Sequence, residues 1–63
     1  MKTNFEIENE AKEMSINYPD VTYYVIGKKR NEAKIYSIGY LAMQKINNEK
    51  WYPICSYKNG IRR

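Results

Sequence analysis

The stretch Val21 to Gly27, VTYYVIG, constrains the chain most: seven residues, β-branched or aromatic but for the closing glycine, and none charged. The breaker pair Pro19-Asp20 precedes it, and Gly27 leads into the basic cluster Lys28-Lys29-Arg30. A run of this kind reads as a strand buried on part of both faces, around which the rest of the chain must pack.

Upstream, Thr3-Asn4-Phe5-Glu6 has the form of a capping box, in which the Thr3 hydroxyl accepts from the amide of Glu6 while the Glu6 carboxylate accepts from the amide of Thr3. It predicts a helix from about Asn4 to Asn17. Ile7, Ala11, Met14 and Tyr18 recur at spacings of four, three and four, so they are the expected packing stripe. Glutamates near the start suit the positive end of the helix dipole, and Pro19 disfavours helical backbone at Tyr18.

Downstream, KIYSIGYLAMQKI admits two periods. As a helix, Ile35, Ile38, Ala42 and Ile46 share a face; as a strand, Tyr36, Ile38, Tyr40 and Ala42 alternate with Ile35, Ser37, Gly39 and Leu41. The Ile and Tyr content of its first half, and the roughly 1 kcal/mol that an interior glycine costs a helix, favour the strand, with Gly39 at a bend. Asn47 to Lys50 is then a hairpin loop and Trp51 to Tyr57 the return strand. Pro53 cannot donate to a ladder, which places that strand at an edge or gives it a bulge. Lys58-Asn59-Gly60 turns the chain into a short basic tail.

The predicted architecture is therefore α+β: one N-terminal helix packed on a three-stranded antiparallel β-meander, a single domain over residues 1–63. The expected core is Val21, Tyr23, Val25, Tyr36, Ile38, Tyr40, Trp51, Cys55 and Tyr57. Thr22, Tyr24, Ile26, Ile35, Ser37, Tyr52 and Ile54 are expected on an open face. That face is apolar for a solvated one, which suggests a partner or a homodimer.

Length matters at this point, because 63 residues bring a core close to the lower limit for independent folding. Seven Tyr, one Trp and one Phe supply the apolar area. The lone Cys55 cannot close an intramolecular disulfide, and without histidine a zinc staple is not expected. An unpaired thiol and a beginning without the apolar region of a secretion signal point to the cytoplasm. No window has the ~18 consecutive apolar residues of a membrane span, so no membrane partner is expected.

Charge is uneven. Residues 1–20 carry two lysines against four glutamates and one aspartate, a balance of −3, whereas residues 21–63 carry nine basic against two acidic groups, a balance of +7. Basic turns protect the edges of small sheets, and they also form surfaces for phosphates or acidic proteins. Lys28, Lys29, Arg30 and Lys34 gather at one hairpin, with Lys45, Lys50 and Lys58 near the other. Tyr24, Tyr52 and Trp51, flanked by lysines, are of the type that stacks unpaired bases. The helix glutamates could imitate DNA phosphates, although such a helix more often has a merely solvated face.

Catalysis is not expected. The usual general base is missing, no nucleophile and base pair is visible, and glycines at 27, 39 and 60 are too dispersed to cradle a phosphate. Cys55 beside Ile54 reads as a small core residue. No cofactor and no metal are called for.

YPDVTYYVIGKKR, IGYLAMQKI and EKWYPICSYKNG together resemble the helix-plus-hairpin pattern of short accessory proteins encoded by bacteriophages of low-GC hosts. The resemblance covers about residues 18 to 60. It implies a small cytosolic protein that inhibits a host enzyme, a defence system or a nucleic-acid machine, and it carries no individual functional residue across. The leading expectation is a non-enzymatic binding protein that contacts a host protein through Tyr24, Ile26, Lys28, Lys29, Arg30, Lys34, Tyr52 and Ile54. The alternative is sequence-tolerant binding of nucleic acid through the basic turns and sheet aromatics.

Overall fold

In the computed structural model, which describes residues 3–29, 32–37 and 39–63, the elements run α1 (Asn4–Asn17), β1 (Tyr23–Lys29), β2 (Glu32–Tyr36), α2 (Gly39–Glu49), β3 (Tyr52–Lys58) and β4 (Ile61–Arg62). The α+β class, the N-terminal helix and the antiparallel sheet are as the sequence predicts. Both halves of the capping box form: Thr3 Oγ1 accepts from the Glu6 amide at 3.2 Å, and Glu6 Oε1 accepts from the Thr3 amide at 3.4 Å.

The sheet order is β2-β1-β3-β4 with every neighbouring pair antiparallel. The VTYYVIG stretch is thus the strand with which both β2 and β3 pair, rather than one end of a meander. Because β2 and β3 both oppose β1, they run in the same direction, and a connection between such strands needs a crossover. Helix α2 supplies it.

The crossover overturns the reading of residues 34–46 as one long strand. Only Glu32–Tyr36 is strand, and the helix starts at Gly39. The glycine penalty assumed an interior position, whereas Gly39 stands at the helix's first position, where the penalty for an interior glycine does not apply. There its missing side chain also permits close approach, since a Cβ would lie 2.9 Å from the Tyr24 ring. Asn47 and Asn48 belong to the last turn of α2 rather than to a hairpin loop, and the chain leaves the helix through Lys50 in the left-handed region at φ 58°.

Two helices on two faces divide the expected core. On the α1 face, Ala11, Tyr23, Val25 and Tyr57 are buried, with Ile7, Val21, Ala33, Ile35, Ile54 and Cys55 packed against them. On the α2 face, Ile26, Ala42 and Trp51 are buried, with Tyr24, Tyr36 and Ile46 around them. Ile26, expected on an open face, is therefore covered by α2, and Ile35 and Ile54 belong beneath α1. Tyr40, expected in the core, is exposed on α2. Ile38 lies outside the described residues. The stripe on α1 is also rotated from the expected one: Ala11 and Ser15 are its buried positions, while Met14 and Tyr18 are exposed.

Pro53 does bring a bulge. Val25 pairs with Cys55 and Ile26 with Pro53, so Ile54 is the extra residue and joins Cys55 in packing against the α1-side core. A second irregularity, between Gly27 and Lys29 against Ala33 and Glu32, leaves Lys28 unpaired in the ladder. At the other end, Asn59 (φ 51°) and Gly60 (φ 78°) make the two-residue loop of the β3–β4 hairpin. Positive φ at both central residues is the tight-turn geometry that Asn-Gly favours.

Candidate functional site

The α1 face is closed by polar contacts as well as apolar ones. Ser15, fully buried, donates from Oγ to the Lys12 carbonyl at 2.7 Å and accepts from the Gly60 amide at 2.9 Å, which ties the hairpin turn to the helix. Glu8 Oε1 accepts from Arg62 Nε at 3.1 Å, from the Tyr57 hydroxyl at 3.3 Å and from Cys55 Sγ at 3.5 Å. Burial, then the Glu8 carboxylate, pushes the Cys55 thiol up, so the sulfur stays protonated at neutral pH. Cys55 is a hydrogen-bonded structural thiol at this position.

The α2 face differs. Helix α2 rests mainly on β1 and β2, which leaves a groove of about 380 Å³ between the helix and β3. Tyr24, Ile26, Ala42, Met43, Ile46 and Pro53 line it, and Ile54, Cys55 and Ser56 of β3 and Arg63 also border it. On the outer side of the same helix, Tyr40, Leu41 and Met43 are 70%, 46% and 55% exposed. Three large apolar side chains within four residues of one helix exceed what scattered surface residues account for.

Ile26 and Ile46 of the groove also pack in one cluster with Trp51. The Nζ atoms of Lys28, Lys34 and Lys45 lie 5.7, 5.7 and 5.8 Å from the centroid of its ring. Each lysine reaches the place from a different element. Lys28 is the residue released by the β1 bulge, Lys34 stands opposite Ile26 on β2, and Lys45 comes from α2. Their stems cover the indole, which is only 6% exposed. The indole Nε1 is buried without a hydrogen-bond partner among the described residues.

One carboxylate joins the three ammonium groups. Glu49 is ion-paired with Lys45 one turn away on α2. Its hydrogen bond to Lys45, with the charges of Lys28 and Lys34 adding, holds its carboxyl below the usual range, and Lys45 is raised by the same contact.

Of the residues expected to bind a partner, Lys28 and Lys34 meet over Trp51, and Tyr24 and Ile26 form the floor of the groove. Tyr52 is elsewhere, and it approaches Gly27 on the sheet's other face, where a Cβ would lie 2.9 Å from it; Ile54 approaches Gly27 at the same distance and also borders the groove. Lys29 is described by its backbone register with Glu32, and Arg30 lies outside the described residues. Lys45, expected near the other hairpin, joins the site from α2 instead, and Glu49, Leu41 and Met43 join it unforeseen. The signal for them was in the sequence, as Ala42 and Ile46 at helical spacing beside a Lys45/Glu49 pair at i, i+4. No helix of the described residues is long and apolar enough to cross a membrane.

Compared with known proteins, the chain matches no protein family, no curated protein and no solved structure.

Proposed function

We propose that this chain is a non-enzymatic binding protein that engages a protein partner, a host factor if the phage resemblance holds, through the outer face of α2 and the groove beside it. The observation that carries this reading is the exposure of Tyr40, Leu41 and Met43 next to an apolar groove that the fold leaves uncovered. Helices and grooves of this composition are anchor sites in protein interfaces. The binding surface of this reading lies one layer out from the sheet face, because α2 occupies that face.

Nucleic acid is the second reading, favoured by the convergence of Lys28, Lys34 and Lys45. Base stacking gains no support from the same place, since Trp51 is covered and Tyr24 packs against the start of α2. What remains for nucleic acid is phosphate contact alone.

The test is affinity capture from host lysate, with and without nuclease, using four baits: the wild-type chain, Leu41→Glu, Met43→Glu and Phe5→Glu. Phe5 is 72% exposed on α1 and serves as a control. One protein recovered by wild type and Phe5→Glu, and lost by both α2 variants, is the expected result. Recovery indifferent to Leu41→Glu and Met43→Glu removes the α2 surface, and recovery abolished by nuclease favours the nucleic-acid reading.

A further inference from the structure

The lysine trio and the groove share their boundary. Ile26 and Ile46 line the groove and also pack against Trp51, over which the three ammonium groups lie. Three cations brought from three elements to one indole repel one another, an arrangement that favours an anion between them. Glu49 is an anion of this kind already present, yet it neutralises one charge of three and is itself 42% exposed. At the groove's other border stands Arg63, beside Ser56. An apolar trough with cations at both ends is complementary to a segment that is apolar along one side and acidic at its flanks.

We propose that the groove and the lysine trio are one composite site for an acidic amphipathic segment of the protein partner. Apolar side chains of that segment seat against Ile26, Met43 and Ile46, its carboxylates take Lys28 and Lys34, and Glu49 holds the place of such a carboxylate in the free chain. The inference rests on the reading of the α2 face as the partner surface and adds the chemistry of what binds there. Phosphate backbones would use the lysines and have no use for the trough, which is why the adjoining apolar lining favours a peptide.

The probe is a library of random dodecapeptides displayed for selection on the immobilised full chain, with recovered peptides remeasured in solution by fluorescence anisotropy. Recovered sequences should be enriched in Asp and Glu, with apolar residues at helical spacing. Their affinity should fall about tenfold in Lys28→Gln/Lys34→Gln, the loss expected for two partly exposed ion pairs. It should fall further in Met43→Glu, and rise two- to fivefold, or roughly one exposed pair's worth, in Glu49→Gln. Met43 and the lysines are exposed, so these variants keep the fold, which thermal melting checks.

Binders without acidic enrichment, indifferent to the lysine changes but lost in Met43→Glu, overturn the acidic partner and leave the groove as a protein-binding surface. Binders indifferent to Met43→Glu, or no binders at all, overturn both. In parallel, a twelve-nucleotide thymidine strand is titrated against the same variants. Binding of that strand that needs Lys28 and Lys34, is indifferent to Met43→Glu and is tighter than that of any recovered peptide, assigns the lysines to a phosphate backbone and overturns the proposal.

Discussion

The two faces of one sheet are finished to different degrees. Beneath α1, the apolar core is tied down by polar contacts, Ser15 with Gly60 and Glu8 with Tyr57, Cys55 and Arg62. The Asn4 Oδ1 at the start of the helix is the one buried side-chain atom there without a partner among the described residues. Beneath α2, an indole nitrogen lacks a partner among the described residues, an apolar groove stands open to one side, and three lysines share one carboxylate. A small chain with little stability to spare has consolidated one face and left the other incomplete. Incompleteness of that kind is what a binding surface costs the free protein.

Truncation in the two cores gives the largest expected contrast. Val25→Ala, at a fully buried position under α1, should lower the unfolding free energy by about 2 kcal/mol, from two lost carbon groups and the cavity left behind. Ile46→Ala removes more atoms, but beside a groove already open to water it should cost about 1 kcal/mol. Urea unfolding compares them, and an equal or larger loss at Ile46 would mean that the α2 face is as closely packed as the other.

Next in size is Ser15→Ala, which leaves the partly buried Gly60 amide without its acceptor and should cost about 1 kcal/mol. A loss near zero would show that the tie between α1 and the β3–β4 turn does not consolidate the α1 face.

Alkaline pH should act first on the α1 face, because the Lys45 ammonium of the other face, raised from an ordinary value of 10.5, gives up its proton later. Burial and Glu8 raise the Cys55 thiol, and burial, then Cys55 and Glu8, raise the Tyr57 phenol. For an acid raised on folding, the stabilisation is full below the unfolded value. It then declines as pH climbs from that value through the folded one. Stability should therefore begin to fall near pH 9, the ordinary thiol value, and continue past 10 as the phenol joins. Cys55→Ser keeps a hydrogen-bond donor toward Glu8 and should delay the onset by removing the first titration. An unchanged profile in that variant would dissociate the decline from Cys55.

The smallest effect on stability belongs to the surface held responsible for binding. Leu41→Glu and Met43→Glu, both exposed on α2, should stay within about 0.5 kcal/mol of wild type. A loss above 2 kcal/mol in either would mean that these side chains hold α2 to the sheet, and the contrast between the faces would narrow.

What the sequence discloses follows the range of the interactions. The capping box spans four residues and the Pro53 bulge follows from a missing donor, so both are visible locally, as is the run that becomes β1. The break between β2 and α2 is not, because Ile35 through Ile46 satisfies both periods and Gly39 argues against a helix only if placed in its interior. Once that segment is read as a single strand, the α2 face has no cover and Ile26 is assigned to solvent. Lys45 is assigned to a distant turn by the same step, although its Glu49 partner at i, i+4 marks a helix. Glu8 and Arg62, 54 residues apart, meet only through the packing of α1 on the finished sheet. Lys28 and Lys34 were legible as a basic hairpin; their convergence with Lys45 on Trp51 required the crossover.

We propose the α2 face as the surface where this chain meets its partner. Amide chemical-shift mapping tests it most directly, with isotope-labelled full-length chain titrated with the tightest dodecapeptide recovered by selection. Shifts should concentrate on Leu41 through Ile46, on Ile26 and Lys28, and on Ile54 through Ser56, with α1 unmoved. Shifts confined to Phe5, Met14, Ile16, Tyr18 and Ile61, exposed apolar residues on or next to α1 and on β4, would contradict the proposal.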